Sequence, residues 1–166
     1  MSATARRRSR SFSWEDPTGA AAAGLELPGI EYLAGIRDGS FPPPPIAAML
    51  GMEIVEVVPG RAVFALSPAE WMYNPIGSVH GGVAATILDS CMGCAVHSTL
   101  DAGKGYATSD LHVRYVRAMS VDTGRVLAEG RVVHAGRRLA TAEGRLYAEA
   151  DSALLAHGTT SCQLFG

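Results

Sequence analysis

Residues 81–98, "GGVAATILDSCMGCAVHS", are apolar on almost every side when wound into a helix, and nothing else in the chain restricts its fold so tightly. At about 100° per residue, Thr86, Asp89, Ser90, Gly93 and His97 share one narrow stripe. Val83, Ala84, Ile87, Leu88, Cys91, Met92 and Cys94 cover nearly all the rest. A helix of this kind persists only where other elements cover most of its circumference. The covering elements must come from the flanking sequence.

Those flanks read as strands. "MEIVEVVPGRAVFALS" gives two short strands around the turn dipeptide Pro59-Gly60, a hairpin. After the helix come "GYATSDLHVRYVRA", "GRVLAEGRVVHAG", "RRLATAEGRLYAEA" and "ALLAHGTTSCQLF", separated by Gly or Asp turn signals. The third of these is Ala-rich and resembles a helix, but its place between two strand runs assigns it to the sheet. The expectation is an α+β domain, with an antiparallel sheet of about six strands and one principal helix on its face.

A chain of 166 residues suits one core rather than two. Residues 1–28 mix Arg, Ser, Ala, Gly and Pro without periodicity and are expected to be a disordered tail whose deletion is inconsequential. The folded domain is then 29–166, opening with a short helix in "GIEYLAGIRDG" and an extended "FPPPP".

The net charge of −2 is unevenly spread. Residues 1–16 hold Arg6, Arg7, Arg8 and Arg10 against Glu15 and Asp16. The body keeps 14 − 4 = 10 basic and 16 − 2 = 14 acidic side chains, a net −4 that offers nucleic acid no general attraction. No apolar run reaches the roughly 18 residues of a membrane span, and "RRRSR" is followed by no apolar signal segment. With three cysteines, an odd number, a reducing cytoplasm is expected. Cys91 and Cys94 form a C-x-x-C that reads either as a redox or metal pair or as two small packing residues; no second pair completes a zinc site.

The start of the helix is chemically unusual. Its first amides lack intrahelical partners and carry roughly half a positive charge from the summed peptide dipoles. Gly81 and Gly82 either allow tight packing against the sheet or leave those donors bare for a ligand oxygen. His80 precedes them, Asn74 and Gly77 lie just upstream, and Asp89 is one carboxylate on an otherwise apolar helix. A lone acid there is unusual unless it is paired or functional.

The stretch "NPIGSVHGGVAATILDSCMGCA" resembles the motif of the hotdog-fold acyl-CoA thioesterases, in particular the branch that includes the phenylacetate-pathway thioesterases. Asn74, Gly77, His80, Gly81, Gly82, Asp89, Gly93 and Ala95 stand in register with it, and weaker similarity covers roughly residues 45–163. The resemblance implies a hotdog fold, a sheet wrapped around the central helix, and hydrolysis of an acyl-CoA without metal or other cofactor. It implies that the Gly81 amide, with Gly82, polarises the thioester carbonyl, that His80 adds a hydrogen bond or holds the loop, and that Asp89 is nucleophile or general base. Asn74 would orient substrate or water, and Thr108 would help place water; a slip of one residue would give that place to Ser109.

His80 and Asp89 are nine residues apart, which on one helix means about 13 Å and opposite sides. They cannot easily attack one carbonyl. Two chains about a twofold axis, helices side by side and antiparallel, would bring the start of one near the Asp of the other. The resemblance implies the same: a homodimer with shared sites, two dimers often forming a tetramer. For the CoA phosphates, Arg137 and Arg138 occupy a turn, and Arg114 and Arg117 flank it in the preceding strand, though each also reads as a solvated cation. Trp71, Met72 and Tyr73 line the acyl pocket or serve packing. Two other functions compete: a hotdog hydratase or dehydratase, disfavoured by the acid nine residues after His80, and an acyl-CoA-binding protein without turnover, for which Asp89 has no use. No G-x-S-x-G elbow supports a serine hydrolase.

Overall fold

The apolar segment forms helix α4, Gly81–His97, in a computed structural model that describes residues 6–166. Val83, Ala84, Ile87, Leu88, Cys91, Met92, Ala95 and Val96 are buried, whereas Thr86, Asp89, Ser90 and His97 are only half-buried, as the sequence leads one to expect. Gly93, expected in the same stripe, is buried under the Tyr106 ring, and Cys94 is half-buried instead.

Six strands cover the helix: β1 Glu53–Val58, β2 Arg61–Leu66, β3 Gly105–Tyr115, β4 Val126–Ala135, β5 Leu139–Ala148 and β6 Leu154–Phe165. They form one antiparallel sheet in the order β1-β2-β4-β5-β6-β3, and α4 packs against every strand from β2 to β6. The β1–β2 hairpin turns at Gly60, whose φ of 77° suits glycine. The Ala-rich run is strand β5 because only small residues let the helix approach: Ala140, Ala142, Leu146 and Ala148 point inward and are buried. A Cβ on Gly144 would stand 2.9 Å from Met92, and one on Gly130, directly opposite in β4, would collide with the Cys91 carbonyl. The helix therefore lies in a trough of missing side chains, wrapped in the hotdog manner.

The N-terminal region departs from expectation. Residues 1–5 of the expected tail lie outside the described residues. Pro17–Leu25 form a helix, α1, capped by Asp16, whose carboxylate accepts from the Thr18 amide at 2.9 Å. Its end packs home: Gly24 is buried against the Tyr32 ring and the Leu25 carbonyl accepts from the Gly103 amide at 2.7 Å. The Ala-Gly composition concealed this helix because its contacts are tertiary and its own residues show no amphipathic pattern. Helix α2, Gly29–Asp38, follows, and its Tyr32 covers the His97 end of the polar stripe, ring centroids 5.9 Å apart. Helix α3, Pro45–Leu50, continues from the proline run and was not anticipated; proline is well suited to a first helical turn. Among the described residues, no helix is long and apolar enough to cross a membrane.

Candidate functional site

The loop before α4 is built around Asn74. Its Oδ1 accepts from the amides of Ile76 (3.0 Å) and Ser78 (3.2 Å), and its Nδ2 donates to Ser78 Oγ at 3.0 Å. Gly77 takes a left-handed φ of 84° to close the turn. The side-chain amide expected to orient substrate is thus engaged in holding its own loop, while Asn74 also borders the cavity at Gly81. The His80 amide donates to the Met72 carbonyl at 2.8 Å, which fixes the residue at the helix entrance.

His80 is itself the N-cap. Its Nδ1 accepts from the Gly82 amide at 2.9 Å, and its carbonyl accepts from the Val83 amide at 2.9 Å. Of the first three helical amides of α4, that of Gly81 remains free of a protein acceptor among the described residues. The expectation of two bare glycine amides is corrected to one, since the histidine side chain takes the other. An Nδ1 that accepts leaves the proton of the neutral ring on Nε2. The ring and the Gly81 amide are then two donors at one helix end.

Gly81 has a local reason to be glycine. A Cβ there would stand 3.1 Å from the Tyr115 ring, and the Tyr115 hydroxyl donates to the Gly81 carbonyl at 3.1 Å. Asp89 lies eight residues further along α4, roughly 12 Å by helical rise. Its Oδ1 accepts from Thr108 Oγ1 at 2.9 Å. The hydroxyl that reaches the acid belongs to Thr108, while Ser109 is the extra residue of a β-bulge between Thr108 and Asp110.

That bulge resolves a parity problem. Thr108 and Tyr115 are an odd number of residues apart, so in a regular strand they would face opposite sides of the sheet. With Ser109 bulged, Tyr106 and Thr108 face α4 before the bulge and Leu111, Val113 and Tyr115 after it. One strand thereby touches both Asp89 and Gly81. Tyr115 was missed in the sequence because its reach depends on the bulge.

The start of the helix and its Asp89 face open into different cavities. One of about 280 Å³ holds Asn74, Gly81, Tyr115 and Arg117. The other, about 730 Å³, has Asp89, Ser90, Cys94 and Tyr106 on one side and Ile36, Phe41, Pro42, Pro43, Met52 and Phe64 among the residues opposite. Neither cavity contains both Gly81 and Asp89. Trp71, Met72 and Tyr73 stay outside the Asp89 cavity: Trp71 lies under the Arg10 guanidinium at 3.8 Å, Met72 is in the core, and Tyr73 accepts from the Val121 amide at 2.9 Å.

Cys91 and Cys94 are free thiols, and burial pushes Cys94 up to about 12, with Asp89 adding to the shift. Neither is a ready thiolate, and they act as packing residues behind the carboxylate. Arg137 and Arg138 border a third recess of about 570 Å³ with Lys104 and Thr99, beyond the C-terminal end of α4. Arg114 is exposed on β3, so of the basic residues considered only Arg117 shares a cavity with Gly81. Among the described residues no group of three His, Cys, Asp or Glu side chains could hold a metal ion.

Comparison with known proteins agrees with this architecture. Residues 76–154 match the family described as the thioesterase superfamily. A candidate esterase of Halobacterium salinarum is 39% identical over 79 residues, 46% of this chain and 50% of that protein, so the match spans half of that relative's length. The 1,4-dihydroxy-2-naphthoyl-CoA hydrolase of Listeria monocytogenes is 25% identical over 88 residues, 53% of this chain and 70% of that protein. A solved protein of the thioesterase superfamily is 30% identical, with a TM-score of 0.68, covering 83% of this chain and 98% of its own.

Proposed function

This chain belongs to the thioesterase superfamily, and from that premise we propose that it hydrolyses an acyl-CoA, aromatic or medium-chain, to the free acid and CoA. The observation that carries the reading is the half-buried Asp89 carboxylate, held by Thr108 at 2.9 Å, at the wall of a cavity of mixed polar and apolar lining. The CoA ester named for the Listeria relative supports the same substrate class.

In the proposed reaction the thioester carbonyl oxygen accepts from the Gly81 amide and His80 Nε2, where the helix dipole favours the charge that develops on it. Asp89, with one oxygen held by Thr108, presents the other to the carbonyl carbon or to a water. As general base it takes the proton of the attacking water; the tetrahedral intermediate then expels the CoA thiolate, which receives the proton, and the acid departs as carboxylate. As nucleophile it forms a mixed anhydride that water opens to the same products. One oxyanion donor contributes roughly 3 to 4 kcal/mol and a placed acid or base about a hundredfold or more.

The separation of Gly81 and Asp89 into two cavities supports a site completed by a second copy of the chain. Strand β3 is an edge of the sheet with Ala107, Thr108, Ser109 and Asp110 exposed, suited to meet its own copy about a twofold axis. Each site would then take Gly81 and His80 from one protomer and Asp89 from the other, and two such dimers would pair as a tetramer. Arg117 beside Gly81, and Arg137 and Arg138 with Lys104, offer cations for the CoA phosphates.

The test is thiol release from a panel of acyl-CoA substrates by the wild type and by Asp89→Asn. The variant is expected to lose at least about a hundredfold in kcat with assembly intact. Near-normal turnover would remove Asp89 from the mechanism, and a wild type inert toward every acyl-CoA would remove the reaction.

A further inference from the structure

We propose that the N-terminal segment, residues 15–46, is the element that selects the acyl group, and that it selects by size for a bulky apolar acyl chain or ring system. The inference rests on the thioesterase reading for its substrate, but its evidence is the wall of the Asp89 cavity. Only Asp89, Ser90, Cys94 and Tyr106 of that cavity come from the stretch that matches the family, residues 76–154. Most of the opposite wall comes from segment 15–46, where Ile36, Phe41, residues 42–44 of the proline run and Ile46 give its apolar part and Arg37 and Ser40 a polar margin. The part that carries the chemistry and the part that shapes the space are therefore different pieces of chain.

The wall is stiff. Consecutive prolines have fixed φ and cannot fold inward to meet a small ligand. Phe41 is locked edge-on against Tyr32 at 5.1 Å between centroids, and Tyr32 in turn packs on His97 of α4. From outside, the segment before α1 is pinned across the end of α3: Arg10 reaches the Met49 carbonyl and covers the Trp71 ring, and Arg8 pairs with Glu70. Glu15, next along, reaches the cavity itself. A braced wall around about 730 Å³ suits a ligand in the drug-size range and leaves an acetyl group with few contacts. Apolar contact area then favours the larger acyl group by roughly 25 cal/mol for each Å² buried.

Two variants narrow the cavity from different elements: Ile46→Trp on α3, where Ile46 is 43% exposed and a larger ring is tolerated, and Ile36→Trp on α2. Calorimetric binding of dodecanoate and of 2-naphthoate reads the cavity without any turnover, and the ratio of kcat/KM for dodecanoyl-CoA to that for acetyl-CoA reads selection during it. The wild type is expected to bind at least one of the two acids, and each variant that remains folded by circular dichroism to weaken that binding and lower the ratio at least about tenfold. A wild type that binds neither acid overturns the proposal, as does unaltered binding and an unaltered ratio in Ile46→Trp. If binding falls as expected while no acyl-CoA is hydrolysed, the cavity assignment stands and the thioesterase reading fails.

Discussion

Thr108 Oγ1 donates a 2.9 Å hydrogen bond to Asp89 Oδ1, tying the edge strand β3 to the middle of the buried helix. Thr108→Val keeps the shape of the side chain and removes the donor. A hydrogen bond to a charged group contributes roughly 1.5 to 3 kcal/mol. If Asp89 acts as proposed, kcat should fall about ten- to a hundredfold in thiol-release assays with KM little altered. The neighbouring Ser109→Ala should have a much smaller effect, because Ser109 is the bulged residue.

Gly81 and Asp89 open into different cavities of one chain, so a shared site predicts complementation. His80→Ala and Asp89→Asn, each nearly inactive, are unfolded, mixed equally and reassembled. About half of the dimers are mixed and each holds one intact site, so activity should return to roughly a quarter of wild type, as twofold symmetry requires. A mixture that stays inactive despite proven subunit exchange would reject the composite site.

Removing residues 1–28 now has an expected cost. It would strip the Tyr32 ring of Gly24 and the Gly103 amide of the Leu25 carbonyl. The truncated chain should melt a few degrees lower, since about 1 kcal/mol corresponds to roughly 2 to 4 °C for a domain of this size. An unchanged melting temperature would mean that α1 contributes nothing to stability.

His97 lies between the Tyr32 and Tyr106 rings, at 5.9 and 5.6 Å between centroids, and burial lowers its pKa below the ordinary histidine value. The unfolded chain therefore takes up this proton first as pH falls, which favours unfolding. Its contribution to stability is full above about pH 6.5 and is lost below it, down through the depressed folded value. Urea titrations at pH 7.5 and 5.5 should show a smaller loss of stability on acidification in His97→Phe than in the wild type. An equal loss in both would place the acid sensitivity elsewhere.

The sequence by itself determined the frame: an apolar run with one polar stripe can only be a covered helix, and strand runs with turn signals can only be its cover. The same wheel singled out Asp89, and the motif around it singled out His80 and Gly81. Residue periodicity reports burial, which was enough for the helix and for Asp89, whereas His80 and Gly81 stood out by the chemistry of a helix start and by the motif's resemblance. Tertiary structure decided what periodicity cannot carry. Gly24 and Leu25 belong to a helix because Tyr32 and Gly103 are there to meet them. The His80 side chain turns back onto the Gly82 amide, so one donor of two is left open. Thr108 and Tyr115 reach the same helix because an extra residue at Ser109 shifts the phase of β3, and no local pattern announces a bulge. The proline run reads from its sequence only as an extended stretch, and the fold lays it across the cavity beside Asp89. The His80 cap is a local contact, but the others join residues that only the fold brings together, and the energy that fixes them exists only once both partners are in place.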